Sequence, residues 1–374
     1  QCRNSYRTPW FFDDELRVMQ LLDRETGRTV ATLVNWSTHV ESMGADNPRI
    51  TSDFVHSLRE TVEDAVGGVA VYVPGDQGAV EIVGDSGTRV WRRDTFDGQR
   101  FPVDAETGEP LTLTIERTYA IGRTVGKAVL RALEEGEFDS TATFLQVRAR
   151  DLYVPVTNQA LRLLAVLGVL DVPVYLSDRW RVHPLLGTSI KTAMYAIRIG
   201  EGTFTTVPGE LFPEINFGLE RHHRPDLART GTGRPFEPCI RDQQPGKYRF
   251  LIGYTPDLLG YIVPGYDFYI YGLPGVSFVH LGVLMGEVPD PAADRPADGR
   301  TPGAVYGHHY HEINSCSSVL AAAVACTAVE LWGGDPSAYD SYREWRWAKS
   351  ALLRIPNPFY GFSWSFRHPW VRHF

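Results

Sequence analysis

The sequence lacks the features that mark several large classes of protein. Its 37 Lys and Arg residues are outnumbered by 45 Asp and Glu, giving a net charge of −8, so it offers no basic field to nucleic acid. No uninterrupted apolar run reaches the roughly 18–20 residues of a membrane-spanning helix. The closest run, residues 317–333, contains Glu330 and favours a buried helix. A GxSxG elbow and the glycine fingerprints of Rossmann and P-loop enzymes are also absent, which disfavours those enzyme classes.

Cysteine is scarce, and no CxxC pair occurs, which excludes a zinc knuckle. The even count permits two disulfides without requiring them, and the four residues are Cys2, Cys239, Cys316 and Cys326. If residues 317–331 form one helix, Cys316 and Cys326 lie about 15 Å apart along it, too far for a mutual bridge. A bridge from either of them to Cys2 or Cys239 stays open, which favours an exported protein.

The ends of the chain also lead to expectations. Gln1 is not an initiator Met and no signal segment follows it, so we expect a mature product or a piece of a longer precursor, secreted or in the cell envelope. We predict one catalytic domain over residues 1–374. The Pro- and Asp-rich residues 289–302 are predicted to form an exposed loop. The aromatic-rich tail 356–374 either contacts a membrane or covers the substrate, or packs its rings on the body.

Hydrophobic periodicity predicts strands and helices in alternation. A helix over residues 52–66 has an apolar stripe, Ser52 or Asp53 as N-cap, and two glycines after it. Residues 69–73 form a continuous apolar run typical of a buried strand. The other predicted elements are two strands within 16–36 around a turn at 23–27, a helix over 116–135, a strand at 143–147 and a hairpin over 190–209 turning at 200–202. This order predicts a mixed, layered α/β or α+β domain.

Three segments carry side chains suited to chemistry. His39 follows a strand in VNWSTHVESM, where it can project from a sheet edge, although a lone His is more often structural. Glu210 follows Pro-Gly in TVPGELF, where it is either a helix-start residue or a buried carboxylate needing a partner. Tyr261 lies in IGYTPDLLGYIVPGY, which alone is a turn-rich loop.

Taken together, these segments resemble the neutral/alkaline ceramidase family over about residues 16–275. The family pattern has N-F-A-x-H-P-x-S-M, then S-D before a helix, a strand into N-x-G-D-V-S-P, a V-P-G-E-F segment and a loop with two tyrosines. This chain offers the three segments above, Ser52–Asp53 and VYVPGDQGAVEI in the same order. YGHHYHEINS at 306–315 resembles the bacterial form G-D-H-Y-E-E-T-N-S.

The resemblance implies a ceramidase-like fold and one zinc ion that activates water against an N-acyl amide of a lipid or small molecule. It assigns His39, Glu210 and Tyr261 as metal ligands, in line with the nitrogen and oxygen ligands that zinc takes. The predicted catalytic residues are Glu81, Asp76 and His311. The predicted substrate-binding residues are Gly78, His309 and Tyr269.

The chain departs from the family pattern at the second zinc-binding histidine. The family carries it in an upstream H-T-H-S-G-P motif, and the residues before His39 contain no histidine. An amino-terminal fragment of the same precursor, still bound, is the preferred source of that ligand. The alternatives are His308, His309 or His311, or no functional site. On a strand, His309 and His311 would share one face.

Two further departures concern the active-site loop and the length. Aligning the glycines puts Glu81 where the family has a serine, and Glu81 is then either a general base or a surface residue in a site that no longer hydrolyses ceramide. No pattern of short alternating strands predicts the family's C-terminal immunoglobulin-like domain. The leading hypothesis is a zinc amidohydrolase. The alternatives are a degraded ceramidase-fold binding or scaffold protein, and a metal hydrolase acting on esters or lactones.

Overall fold

Strands and helices alternate along the chain in the computed structural model, which describes residues 12–44, 47–80, 115–137, 144–158, 161, 174–176, 188–218, 236–265, 268 and 310–342. The strands are β1 Arg17–Leu22, β2 Thr29–Trp36, β3 Val69–Pro74, β4 Leu145–Pro155, β5 Val174–Leu176, β6 Thr188–Ile199, β7 Gly202–Thr206, β8 Glu210–Leu211, β9 Tyr248–Ile252 and β10 Tyr261–Ile262. The helices are α1 Phe54–Val66, α2 Ile115–Glu135, α3 Pro213–Phe217, α4 Ile240–Gln243, α5 Tyr310–Ile313 and α6 Leu320–Leu331. The predicted mixed α/β class is confirmed.

The first sheet is three-stranded, in the order β1–β2–β3. The hairpin β1–β2 is antiparallel, and α1 then carries the chain over to β3, which runs parallel to β2. Asp53 caps α1 by accepting a 2.8 Å hydrogen bond from the N–H of Phe54, and Gly67 ends the helix. The predicted hairpin and capped helix are therefore confirmed.

A core of buried apolar side chains joins this sheet to α1 and α2. Its members are Val34, Phe54, Leu58, Val62, Ala70, Ile121, Val125 and Val129. The two helices approach closely at Gly122, where an added Cβ would collide with the carbonyl oxygen of Phe54 and the hydroxyl of Ser57. The same Cβ would lie 2.8 Å from the backbone nitrogen of Leu58. The missing side chain at Gly122 thus allows this helix pair to pack.

The second sheet is built on the long strand β6, which pairs with β4, β5 and β7, and β7 in turn runs parallel to β9. Helix α6 packs on this sheet, and every residue in it except Glu330 is buried. The Trp332 indole N–H donates to the Thr205 hydroxyl at 2.9 Å. Arg148 donates to the carbonyl of Leu331 at 3.1 Å. These bonds hold the end of α6 on the sheet.

Three sequence-based expectations differ from the structure. The strand predicted at 143–147 extends over Leu145–Pro155, because β6 pairs with it along its whole length. Strand β3 is not fully buried, since Val69 and Val71 are 51% and 41% exposed on one face. Helix α6 begins at Leu320, three residues later than the helix considered at 317–331.

A few contacts connect the two sheets beside the ends of β2, β3 and β9. The side-chain amide of Asn35 donates to the carbonyl of Val73 at 3.0 Å and to that of Leu251 at 2.8 Å. The N–H of Gly253 donates to the carbonyl of Pro74 at 2.9 Å. These bonds bring the chain after β2, the chain after β3 and the chain after β9 to one place.

No disulfide joins the three described cysteines, Cys239, Cys316 and Cys326, so the disulfide allowed by the sequence is absent among them. Cys2 lies outside the described residues, as do residues 289–302 and the tail 356–374. Within the described part of the chain, every helix is too short or too polar to cross a membrane.

The close approach at Gly122 leads to a stability prediction. Gly122→Ala gains about 1 kcal/mol of helix propensity, but backbone atoms of α1 block the new methyl group, and such overpacking costs about 1–3 kcal/mol. We expect a net loss in the free energy of unfolding, measured by denaturant titration. Arg123→Ala, one residue along on the exposed side of α2, is the control and stays within about 0.5 kcal/mol. Equal or greater stability of Gly122→Ala would contradict this packing.

Candidate functional site

The site is built on a two-residue parallel ladder between β8 and β10, in which Tyr261 stands opposite Glu210. The N–H of Glu210 donates to the carbonyl of Gly260 at 3.0 Å, and that of Phe212 to the carbonyl of Ile262 at 3.2 Å. Residues paired across neighbouring strands project to the same face. The ladder therefore brings a carboxylate and a phenol together, both less than a tenth exposed.

His39 meets Glu210 from the first sheet, across 171 positions of sequence. Its Nε2 lies 2.7 Å from Oε2 of Glu210. Its Nδ1 lies 2.8 Å from the carbonyl oxygen of Val80, which also accepts from the His39 backbone N–H at 3.1 Å. Nδ1–H thus donates to a backbone carbonyl and Nε2 faces the carboxylate, which is the arrangement that metal-binding histidines usually have.

The charge of Glu210 dominates the electrostatics of this histidine. Burial by itself lowers the pKa of His39, but the hydrogen bond and negative charge of Glu210 outweigh it and raise the pKa to about 9. At neutral pH the imidazole of His39 therefore carries a positive charge, which faces the negative carboxylate of Glu210. A buried carboxylate is costly without such a partner, so the imidazolium offsets the cost of burying Glu210.

The loop after β3 closes over this pair. The N–H of Gly78 donates to the carbonyl of Leu211 at 2.8 Å. A Cβ on Gly78 would lie 2.5 Å from the backbone oxygen of Glu210 and 2.7 Å from the ring of Phe212. Only glycine allows this approach. The structure places Gly78 against the backbone of Glu210, and its predicted substrate contact stays a prediction.

Asp76 lies in the same loop and is fully buried. One carboxyl oxygen bonds to the Ser37 hydroxyl, and the other accepts from the Asn216 amide at 2.8 Å. Ser37 Oγ is also 3.3 Å from a carboxyl oxygen of Asp13, which forms an ion pair with Arg17. Both oxygens of Asp76 are therefore engaged in a buried network beside the site, and its predicted catalytic role stays a prediction.

The number of hydrogens available between Ser37 and its two neighbouring carboxyl groups indicates that one of those carboxyl groups is protonated. A hydroxyl has one hydrogen to donate, yet Ser37 lies between two carboxyl groups, those of Asp13 and Asp76. Burial, together with the negative charge of Asp13, raises the pKa of Asp76 to about 8. Asp76 is thus the protonated member at neutral pH, and its O–H donates to Ser37, whose own hydrogen turns to Asp13.

His311 packs edge-on against two aromatic rings of the site. The ring centroids lie 4.6 Å from Tyr261 and 5.1 Å from Phe212. His311 lies in the short helix α5, so the strand considered for it is wrong, because the chain turns helically from Tyr310 to Ile313. Its predicted catalytic role is untested. The other predicted residues, Glu81, Tyr269, His308 and His309, lie outside the described residues.

Sequence reasoning missed Tyr254, although it lies in the segment that supplied Tyr261. Its φ of 53° is unusual for a bulky residue,. Burial raises the pKa of its phenol, as do the charges of Glu210 and Glu41, and its hydroxyl lies beside Glu210. The Gln77 amide also lies beside this hydroxyl. The presence of two tyrosines in one glycine-bounded loop was the available signal.

The donor set fits a zinc ion. An imidazole nitrogen and a carboxylate, both common zinc ligands, lie 2.7 Å apart, and the ring of Tyr261 lies 6.1 Å from that of His39. Within the described ranges, no three His, Cys, Asp or Glu side chains converge to hold a metal. His39 and Glu210 form a pair, and the third predicted ligand, Tyr261, is of a residue type outside that set.

Comparisons with known proteins add little about activity. No family model matches the sequence, and no curated protein matches it. The structure is similar to that of neutral ceramidase from Pseudomonas aeruginosa, with 13% identity and a TM-score of 0.36 over 69% of this chain and 42% of that one. It is also similar to a ceramidase complexed with C2, with 12% identity and a TM-score of 0.38 over 71% and 44%.

The chain thus spans less than half the length of these two proteins. Likeness at such low TM-scores identifies neither an activity nor a ligand set. The described residues define a mixed α/β protein with a buried His–Glu–Tyr cluster.

The protonated state of Asp76 predicts a pH dependence of stability. Its pKa of about 8 exceeds the ordinary 3.8, so its stabilisation is full below about pH 4 and is lost as pH rises through about 8. Asp76→Asn mimics the neutral acid. As pH rises from 5 to 9, we expect the free energy of unfolding of this variant to increase relative to that of wild type, by on the order of a few kcal/mol. The measurement is urea unfolding at each pH.

The exposed residue Asp335 supplies the control for this experiment. A hydrogen bond from Ser337 lowers the pKa of Asp335, so its titration lies below the tested range. Asp335→Asn should therefore keep a constant stability difference from wild type between pH 5 and 9. A constant difference for Asp76→Asn as well would show that Asp76 is ionised throughout.

Proposed function

We propose that this chain carries the site of a zinc-dependent hydrolase that cleaves N-acyl amides, ceramide-like or of another acylated substrate. The observation that supports it is the buried meeting of His39, Glu210 and Tyr261. These residues come from three separate segments, and each is held by backbone contacts that orient its side chain. The same three residues are the ones that the sequence resemblance assigns as metal ligands.

Each ligand would be presented by a fixed element. Nε2 of His39 would bind the ion because Nδ1 is held by Val80. The carboxylate of Glu210 and the phenol of Tyr261 would bind from one face of the β8–β10 ladder. When bound, zinc supplies a Lewis acid for the carbonyl and lowers the pKa of water. A further histidine from an amino-terminal fragment of the same precursor completes the proposed ligand set.

The reaction proposed is hydrolysis of the C–N bond. Water adds to the carbonyl carbon, the C–N bond breaks, and an acid and an amine leave. The chain's own contribution is to orient the reacting groups and to keep bulk water from the pair of Glu210 and His39, both about nine-tenths buried. In such surroundings charges interact more strongly than in water, which suits a site that stabilises developing negative charge.

A buried ion pair with no metal role is the competing explanation for His39 and Glu210. Such a pair contributes little net stability, because desolvating both charges offsets their attraction. An ion pair alone would not need Tyr261 nearby, and it would not need the other ring nitrogen of His39 to be held by a carbonyl. The two explanations differ in what removal of one partner does to zinc binding, which makes the pair testable without a substrate.

The first measurement is zinc content by elemental mass spectrometry of natively purified protein, with intact mass of every chain present. We expect about one zinc per complex, and a rise in melting temperature on adding zinc, because an ion that binds only the folded state stabilises it. Glu210→Gln and Tyr261→Phe keep the side-chain shapes but weaken the ligands. Each should lower zinc affinity by at least about 100-fold and abolish the thermal shift.

The matched control is the other His–Glu pair, His56 and Glu60, which lie 3.3 Å apart on the exposed face of α1. His56→Ala and Glu60→Gln should keep zinc content and the thermal shift. If wild type binds no zinc, or if Glu210→Gln binds it as well as wild type does, the metal site is wrong. A binding or scaffold role then becomes the better explanation.

A further inference from the structure

The side-chain amide of Gln77 is the least satisfied buried polar group beside the site. Gln77 is fully buried, and within the described residues neither its nitrogen nor its oxygen makes a well-formed hydrogen bond. Every other buried residue that the structure describes leaves at most one side-chain polar atom unsatisfied, as Asn35 and Asn216 do. An amide with both its donor and its acceptor unused is rare in folded proteins.

The position of this amide ties it to the proposed active site. Gln77 precedes Gly78, which packs on the backbone of Glu210. The backbone carbonyl of Gln77 accepts from the N–H of Val80 at 2.8 Å. The carbonyl of Val80 in turn accepts from the His39 ring. The Tyr254 hydroxyl lies beside both Gln77 and Glu210. The Gln77 amide and the Glu210 carboxylate thus share one neighbour, the Tyr254 hydroxyl.

The chemistry of the group indicates its ligand. A glutamine amide presents an N–H donor and a carbonyl acceptor side by side. A secondary amide presents the complementary pair, a carbonyl oxygen and an N–H. An ester or lactone keeps the carbonyl but has no N–H to give. A site that hydrogen-bonds a substrate N–H strongly rejects an analogue that lacks it, because its own acceptor is then left unpaired.

We propose that Gln77 is the specificity residue of this site and binds the N-acyl amide group of the substrate through both atoms of its side chain. The proposal rests on the proposed function, whose substrate class it narrows to amides over esters. The partly exposed Tyr254 has its hydroxyl beside the fully buried Gln77. Substrate entry turns the Tyr254 ring outward, and the substrate replaces it beside Gln77.

The test uses Gln77→Met, which keeps length and volume but removes both polar atoms. A purely structural glutamine would lose stability on this change. An amide kept for substrate gains it, because the unsatisfied buried polar group is gone. We expect the melting temperature to rise by about 1–3 °C at unchanged zinc content. Asn35→Leu is the matched control, and it should lower the melting temperature, because the Asn35 amide donates to two backbone carbonyls.

Hydrolysis is measured on two probes that differ only in N–H against O, N-(2-hydroxyethyl)octanamide and 2-hydroxyethyl octanoate. We expect Gln77→Met to lower kcat/KM for the amide about 10- to 100-fold while the ester changes by less than about threefold. An unchanged ratio of amide to ester, or a loss of stability in Gln77→Met, would overturn the role of Gln77.

Binding of the same probes separates this proposal from the hydrolase proposal. If wild type cleaves neither probe, the hydrolase proposal fails and thermal shift with each probe becomes the readout. Stabilisation of wild type by the amide, absent with the ester and lost in Gln77→Met, then supports the Gln77 subsite alone. Equal shifts in melting temperature with both probes, or no shift with either, would contradict the proposed Gln77 subsite.

Discussion

The pairing of Glu210 with Tyr261 across two short parallel strands determines the geometry of the whole site. Side chains alternate between the two faces of a strand, so a slip of one residue would send either side chain to the opposite face. A ladder of two residues cannot hold its register alone. The N–H groups of Glu210 and Phe212 donate across it to the chain around Tyr261, and Gly78 packs on the backbone of Glu210. The loop after β3 and the ladder therefore fix each other.

His39 is positioned beside this ladder by a series of hydrogen bonds to backbone carbonyls. Asn35 binds carbonyls at the ends of β3 and β9, which aligns the end of β2 with both sheets. Four residues later His39 is held twice by Val80. Because Val80 belongs to the same loop as Gly78, the imidazole and the carboxylate are positioned by one segment. A shift of that loop would therefore disturb the positions of both side chains.

Local features of the fold could be predicted from sequence, and non-local pairings could not. Helix α1 follows from its apolar stripe, Asp53 and Gly67, and the β1–β2 hairpin from two apolar runs around a turn. The exposure of Val69 and Val71 could not be predicted, because an apolar run indicates burial without showing which side is covered. The length of β4 depends on β6, about forty residues later, and so escapes a local pattern.

The same distinction applies to the site. His39, Glu210 and Tyr261 are each ambiguous alone, and only their order along the chain suggests that they act together. Their contact depends on register across separate segments, which periodicity does not encode. Gln77 carried no distinguishing signal, since a glutamine in a loop is usually structural, and the signal for Tyr254 was only the second tyrosine in the loop of Tyr261. Their significance arises from burial and from what surrounds them.

Compensation of buried polar groups distinguishes the parts of the site. Asp13 is neutralised by Arg17, Glu210 by His39, and Asp76 by a proton, so each acidic group has its own partner. Each of these pairings is complete within the folded chain. The Gln77 amide is the exception among the groups around Glu210, since neither of its atoms is satisfied within the described residues. Because these three carboxyl groups are compensated, an unsatisfied amide beside them is most reasonably retained where a ligand supplies the missing partners.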